Sequence, residues 1–327
     1  MKYTVTGGAG FIGSNLVDQL INDGHEVVVI DSLDTGKKEN INPKAEFVQA
    51  DIVACRQGTV SLSAYTDRVE KAISGSDAIF HLAALARVQP SIKEPVKFND
   101  TNVNGTLNML VIAQKLGIKR FVYSASSSAY GNAKIFPTPE NHPTDPLSPY
   151  GLQKLIGEQY CKVFSICHGL ETVCLRYFNV FGERQSLEGA YCLVMGIFAN
   201  QRLKGEPMTI VGDGEQKRDF TYVGDVVRAN ILAAQSDKVG YGEVINIGNG
   251  DNRSVNQLAD LIGGPRVNIE PRLEPKQTLA DNSKAKELLE WSPSVTLEEW
   301  IPKYKKSLDL CCGGGCHFNP SDDEQTK

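Results

Sequence analysis

The sequence predicts an α/β fold: a doubly wound parallel sheet with a smaller α/β unit interleaved with it. Three observations carry that reading. A glycine-rich turn directly follows the first apolar run, β-rich apolar runs then alternate with helical patterns, and the rhythm breaks into short pieces after Tyr177.

The first run, Tyr3 to Val5, reads as a strand, and the amphipathic stretch Ser14 to Asn22 beyond the glycines reads as a helix. Glu26 to Ile30 is the second strand and closes on Asp31. Glu46 to Gln49 and Ala78 to His81 follow as strands, with a helical pattern over Asp67 to Ile73 between them. A helix over Asn102 to Leu116 leads to the strand Arg120 to Tyr123, and one over Tyr150 to His168 leads to Thr172 to Leu175. This alternation is that of a Rossmann core. Beyond it lie turns such as Gly212-Asp213-Gly214, a helix over Tyr222 to Gln235, and a strand at Val244 to Ile247. The expected division is a dinucleotide-binding unit at 1–177 and a mainly substrate-binding unit at 178–310 whose segments return to the core. Residues 311–327 are expected to be a flexible tail, because Phe318 to Lys327 is polar and acidic.

A chain of 327 residues can bury a sizeable core, and a net charge of −5 exerts no broad pull on nucleic acid or an anionic membrane. Lys217-Arg218 is only a local basic pair. With neither a charged leader nor a long apolar segment, the expected location is cytoplasmic. The eight cysteines, at 55, 161, 167, 174, 192, 311, 312 and 316, are scattered like thiols of a reducing compartment. Cys311-Cys312-Gly313-Gly314-Gly315-Cys316-His317 fits neither a zinc pair nor a haem-attachment spacing, so no metal is expected.

The glycine turn carries the first chemistry. Gly8, Gly10 and Gly13 give a G-x-G-x-x-G spacing, and Gly7, Gly10 and Gly13 a G-x-x-G-x-x-G spacing, with Phe11 and Ile12 inside it. Either way side chains are absent where a pyrophosphate must approach backbone N–H groups at the positive end of a helix. Asp31, eighteen residues past Gly13, stands where an acid meets the adenosine ribose hydroxyls. A carboxylate there repels a 2′-phosphate, so the expected cofactor is NAD rather than NADP.

Tyr150 and Lys154 carry the second. A spacing of four on a helix puts both side chains on one face, so the ammonium is expected to lie beside the phenol. An unperturbed tyrosine titrates near about 10 and is a poor base at neutral pH unless a positive charge favours the phenolate. The serines between 124 and 128 precede this pair.

Together these residues resemble the extended short-chain dehydrogenase/reductases that act on nucleotide sugars, and among them the 4-epimerases of UDP-hexoses. The resemblance runs from Met1 to Asp309. It rests on Gly7-x-x-Gly10-x-x-Gly13, Asp31 with Thr35-Gly36, Asp51-Ile52, His81-Leu82-Ala83-Ala84 and Asn102-Val103-Asn104-Gly105-Thr106. It rests equally on Ser126 ahead of Tyr130, Tyr150-x-x-x-Lys154 and Arg176-Tyr177-Phe178-Asn179-Val180-Phe181-Gly182. The resemblance implies that Asp51 and Ile52 flank the adenine, that Ala83 and Ala84 lie by the cofactor diphosphate, and that Asn102 contacts the cofactor. It places Ser126 at the sugar hydroxyl beside Tyr150, with Ser127 next to it, and gives Asn179, Arg218 and Arg272 to the nucleotide sugar. A guanidinium suits a diphosphate because its planar fork donates two charge-assisted hydrogen bonds. A homodimer through the helices near 102–116 and 150–168 is also implied.

The implied reaction is transient oxidation at C4 of a UDP-sugar, rotation of the 4-keto sugar, and return of the hydride to its other face. Related dehydratases carry Asp-Glu directly after the hydroxyl residue, where this chain has Ser127 and Ser128, poor proton shuttles near neutral pH. Epimerisation or decarboxylation of UDP-glucuronate is an alternative, and a nonenzymatic NAD-binding sensor is another from a different class. Two departures stand out: Leu273-Glu274-Pro275 replaces the usual glycine and acid after Arg272, and the stretch from Val53 to Tyr65 is long. In the resembling epimerases the residue at Thr278 lies against the C2 substituent. A small threonine there implies room for an acetamido group, and so UDP-N-acetylglucosamine and UDP-N-acetylgalactosamine beside UDP-glucose and UDP-galactose.

Overall fold

The structure, a computed structural model, describes residues 1–54, 63–188, 192–271 and 274–310. The chain begins β1 (Lys2–Thr6), α1 (Phe11–Asn22), β2 (Glu26–Asp31), β3 (Glu46–Gln49), α2 (Ser63–Ile73) and β4 (Ala78–His81). It continues with α3 (Val88–Lys93), α4 (Pro95–Asn99), α5 (Thr106–Lys115), β5 (Arg120–Ser126), α6 (Pro149–His168) and β6 (Glu171–Tyr177). Shorter pieces follow: β7 (Val180–Phe181), α7 (Val194–Leu203), β8 (Met208–Val211), β9 (Lys217–Asp219) and β10 (Thr221–Tyr222). The last are α8 (Val223–Gln235), β11 (Tyr241–Ile247), β12 (Asn252–Ser254), α9 (Val255–Ile262), β13 (Arg266–Ile269), α10 (Ser283–Leu289) and α11 (Leu297–Ser307).

Seven strands form one sheet in the order β11-β6-β5-β4-β1-β2-β3, and every pairing in it is parallel. A parallel sheet covered on both faces needs apolar residues on both, which is why β2 reads as a continuous Val-Val-Val-Ile run. Val27 and Val29 enter one core with Leu16 and Leu20 of α1 and Val226 of α8. Val28 and Ile30 enter the opposite core with Met109 and Ile112 of α5 and Cys161 and Phe164 of α6. The seven apolar runs read as strands in the sequence are the seven strands of this sheet. β11 lies at its edge beside β6, so the chain comes back to the sheet after the short pieces that follow β6.

A separate core lies beyond β6, in which Phe181, Phe198, Met208, Ile210, Leu258 and Trp300 pack together. Its strands pair only in twos: β7 with β10, β12 with β9, and β13 with β8. One expected helix differs from the structure. Instead of a regular helix from Asn102, residues Asp100–Gly105 form a wider π-helical turn ahead of α5. Asn102 uses its side chain there for long-range bonds, and Gly105 packs against Ile52, whose Cδ1 would lie 2.6 Å from any added Cβ. Among the described residues no helix is long and apolar enough to cross a membrane. Cys55, the tail at 311–327 with its three cysteines, and most of the Val53–Tyr65 stretch lie outside the described residues.

Candidate active site

The strand order reverses at β1, which has β2 on one side and β4 on the other. Ligands of open α/β sheets bind at the carboxyl ends of the strands flanking such a switch point. The glycine turn sits there. Gly7 has φ 73°, and a Cβ on it would come within 2.7 Å of Ala83 N in the loop after β4. A Cβ on Gly13 would collide with Gly7 O, so these two glycines let the turn, the helix and the neighbouring loop close together. Gly10 is different: a Cβ there would meet only Gly7 O, at 3.1 Å. It is the N-cap of α1 and provides no side-chain cap to the first turn, which Phe11 and Ile12 begin. Uncapped N–H groups at the positive end of a helix, with open space in front of Gly10, fit a pyrophosphate.

Asp31 ends β2. Its Oδ2 accepts from Ala9 N at 2.9 Å and its Oδ1 from Leu33 N at 2.8 Å. Burial pushes this carboxyl up while the two N–H bonds pull it down. A carboxylate has about four acceptor sites, so two remain for ribose hydroxyls. Thr35 and Gly36 follow in a loop tied over the glycine turn by Lys37 N and Asn40 Nδ2, both on Ala9 O at 3.0 and 3.1 Å. After β3, Asp51 is exposed and accepts from Val53 N, while Ile52 is buried and its carbonyl takes 2.9 Å from Asn108 Nδ2.

The loop after β4 is held by a directed chain of bonds. Thr106 Oγ1 donates to Asn102 O at 2.8 Å, so it accepts from His81 Nε2 at 3.0 Å. His81 Nδ1 then accepts from Thr6 Oγ1 at 2.9 Å, and that oxygen takes the N–H of Ala83 at 3.2 Å. Burial, with the Lys154 charge, pushes the imidazole down to about 3, so it stays neutral as this chain requires. Ala84 is half-buried in the same loop. Asn102 bonds Leu85 N and O at 2.9 Å each and Gln153 Oε1 at 3.0 Å. Its amide thus braces this loop against α6.

β5 ends at Ser126, whose Oγ shares a 2.5 Å bond with Ser128 and accepts from Ser128 N at 3.2 Å. Ser127 begins the short turn that follows. α6 starts with Ser148 as N-cap, accepting from Gly151 N at 3.1 Å, and Pro149 in the first turn. Gly151 lets the helix press on the serine turn, since a Cβ there would lie 2.7 Å from Ser128 O. That contact sets the first turn of α6, with Tyr150 in it, against the turn that Ser126 opens. Burial pushes the phenol above its ordinary value, and Ser126 and the nearby Arg87 charge pull it back.

Lys154 follows Tyr150 by one turn of α6. Its ammonium donates to Ser124 O at 2.7 Å and lies 5.0 Å over the Tyr123 ring. The β5 carbonyl is a strong acceptor, and a buried ammonium takes whichever acceptor it can reach. Burial lowers Lys154 to about 8, with Cys161 and Glu158 acting against that.

A second group lies beyond β6. Asn179 Nδ2 donates to Asp219 O at 3.0 Å and to Thr278 Oγ1 at 3.2 Å, and Thr278 Oγ1 also accepts from Asp219 N at 3.1 Å. Arg218 pairs with Glu274 at 2.8 Å, and Gln216 Nε2 holds the other oxygen of that carboxylate at 3.1 Å. Arg272 and Leu273 lie outside the described residues. The sequence reading overlooked Arg87, Ser91 and Asp219. A lone arginine within the mostly apolar stretch Leu82 to Val88 was the one visible signal, since a cation at a strand's carboxyl end needs a reason to be there.

A switch-point glycine turn facing a serine and a tyrosine is the working end of a dinucleotide enzyme acting on an alcohol. The chain belongs to the NAD dependent epimerase/dehydratase family, whose profile matches residues 3–248. It is similar to the UDP-glucose 4-epimerase of Thermotoga maritima, solved with UDP-glucose: 40% identity over 94% of this chain and 100% of that one, TM-score 0.86. It is also similar to a UDP-N-acetylglucosamine 4-epimerase of Methanobrevibacter ruminantium, solved with UDP-N-acetylmuramic acid: 36% identity, 94% and 97% covered, TM-score 0.83. A UDP-glucuronic acid 4-epimerase of Bacillus cereus, solved with UDP-glucuronic acid and NAD, gives 34% identity, 94% and 99% covered, TM-score 0.82.

Proposed function

We propose that the protein is a 4-epimerase of UDP-sugars that inverts C4 through a transient 4-keto sugar. Its proposed substrate pairs are UDP-N-acetylglucosamine with UDP-N-acetylgalactosamine and UDP-glucose with UDP-galactose. The observation that carries the reading is the close packing of the first turn of α6, which holds Tyr150, on the serine turn at the carboxyl end of β5, which holds Ser126, near the switch point.

Tyr150 takes the proton of the C4 hydroxyl, and Ser126 bridges to the same oxygen. Gly7, Gly10, Phe11, Ile12 and Gly13 hold the dinucleotide diphosphate with Ala83 and Ala84, and Asp31 holds the adenosine ribose, with Thr35 and Gly36 beside it. Asp51 and Ile52 border the adenine, and Lys154 holds the second ribose. NAD, when bound, accepts the hydride from C4 and returns it, so no external reductant is consumed. Asn179, Arg218 and Arg272 hold the nucleotide diphosphate while the keto sugar turns, and Arg218 then exchanges Glu274 for phosphate oxygens. Residues 1–177 are thus the NAD unit and 178–310 the nucleotide-sugar unit. The exposed Leu152, Val163 and Ile166 on the outer face of α6 support a homodimer through this helix and α5.

The test is incubation of the purified protein with UDP-, dTDP-, GDP- and CDP-sugars and NMR detection of C4-inverted products, with cofactor analysis of denatured protein. NAD in the protein and inversion of a UDP-hexose or UDP-N-acetylhexosamine are expected. Steady NADH consumption, bound NADP alone, or no turnover despite bound NAD would overturn the reading, the last in favour of a sensor.

A further inference from the structure

The first turn of an α-helix leaves backbone N–H groups with no partner inside the helix. Pro149 opens α6 and has no N–H, so Tyr150 and Gly151 present the first two. Gly151 N is taken by Ser148 Oγ, the N-cap of the helix itself, at 3.1 Å. Tyr150 N is taken from outside the helix, by Ser91 Oγ of α3 at 3.2 Å. Ser91 is fully buried, and its hydroxyl proton goes to Val88 O at 2.7 Å. With the proton so committed, the oxygen meets Tyr150 N as an acceptor.

The start of α3 is in turn fixed to the loop after β4. Ser91 N bonds Arg87 O at 3.4 Å, and Asn102 holds Leu85 N and O at 2.9 Å each. The same Asn102 amide reaches Gln153 Oε1 of α6 at 3.0 Å. Residues 85–91 are therefore fastened to α6 twice, through Ser91 at Tyr150 and through Asn102 at Gln153, one turn apart. This segment continues directly from Ala83 and Ala84. The first turn of α6 also presses on the serine turn, where Gly151 lies against Ser128 O.

We propose that Ser91 is a positioning residue for the proton transfer: its hydroxyl holds the Tyr150 backbone in register with the loop that carries Ala83 and Ala84. This rests on the reading of Tyr150 as the base. The phenol hangs from that backbone through two side-chain torsions, so a shift of the helix start is carried to its oxygen. A misplacement of about 1 Å in a reacting group costs up to about 10²-fold in rate. Asn102 alone does not set Tyr150, because its bond to α6 is made a turn further on.

The experiment compares the NAD-loaded parent with Ser91→Ala and Ser91→Thr. A helical threonine keeps a hydroxyl able to reach the carbonyl three residues back, as Ser91 does. Ser91→Ala is expected to lower kcat by roughly tenfold with KM and NAD content unchanged, and Ser91→Thr to restore most of it. A parental kcat in Ser91→Ala, a loss confined to KM or NAD content, or a Thr variant as slow as the Ala variant would overturn the proposal. If Ser91→Ala fails to fold or to hold NAD, Ser91→Cys decides, since a thiol is a weak acceptor: lower kcat at parental KM supports the proposal, and parental kcat overturns it. Amide hydrogen exchange of the same proteins needs no substrate. Loss of the hydroxyl is expected to speed exchange roughly fivefold or more both in the first turn of α6 and in the loop at 82–86. If the parent turns over no nucleotide sugar, the epimerase reading fails and exchange alone decides. Faster exchange in both segments then supports the positioning by Ser91, and faster exchange in neither, or in α6 alone, overturns it.

Discussion

The proposed reacting set is small: a phenol, the serine hydroxyl of the neighbouring turn, and the charges that surround both. Tyr150→Phe removes only the phenolic oxygen, so NAD content and secondary structure are expected to persist while kcat falls by about 10² to 10⁴. Ser126→Ala is expected to lose less, in the same step. Turnover of Tyr150→Phe within a few-fold of the parent would show that another group takes the C4 proton. At this scale the sequence showed the residue types but not where their atoms point. A spacing of four puts Tyr150 and Lys154 on one face of α6, but it does not show that the Lys154 ammonium donates to the β5 carbonyl of Ser124. Periodicity specifies a face, and long-range acceptors choose the rotamer.

At the scale of elements, legibility follows length. Strands of the parallel sheet, buried on both faces, leave continuous apolar runs such as Val27 to Ile30, and the sequence showed all seven. The paired strands of the second unit run two to four residues, too short for a period to register. Asp219 ends one of them, and the sequence reading gave it no role. Its carboxylate is fully buried and joins three segments, accepting from Asn249 N at 2.7 Å, Gly250 N at 3.1 Å and Ala280 N at 2.9 Å. Burial outweighs those donors and pushes it from 3.8 up to about 7. Between those values the folded protein binds a proton that the unfolded chain releases, so stability falls as pH rises from about 4 through 7. The contribution is at most about 4 kcal/mol. Denaturant midpoints at pH 5 and pH 8 check this: the parent is expected to be more stable at pH 5, and Asp219→Asn to be less stable overall with a flatter pH dependence. Equal slopes for the two proteins would remove Asp219 as the cause.

Substrate choice belongs to the whole molecule, because C4 is proposed to react over the NAD unit and the C2 substituent to meet Thr278 at the seam between the units. Thr138 N donates to Leu279 O at 2.8 Å and Asp281 N to Thr138 O at 3.1 Å, which ties this segment to the loop between β5 and α6. Asp219 and Asn179 tie it to the second unit through the Thr278 hydroxyl. The sequence showed that the side chain is small; the bonds that fix it came only with the fold, because their partners lie 59 and 99 residues away. A substitution at 278 therefore alters two things at once, the volume beside the sugar and the bonds that hold the seam. Thr278→Val separates them: it keeps the size and removes the hydroxyl, and is expected to slow both substrate pairs alike. Thr278→Tyr also adds a ring, and overpacking of a fitted site costs about 1 to 3 kcal/mol. Its ratio of N-acetylhexosamine to hexose turnover is expected to fall by about tenfold or more relative to Thr278→Val. Competition assays with UDP-N-acetylglucosamine and UDP-glucose give that ratio directly. An unchanged ratio in Thr278→Tyr would mean that the C2 substituent lies elsewhere and that Thr278 serves the seam alone.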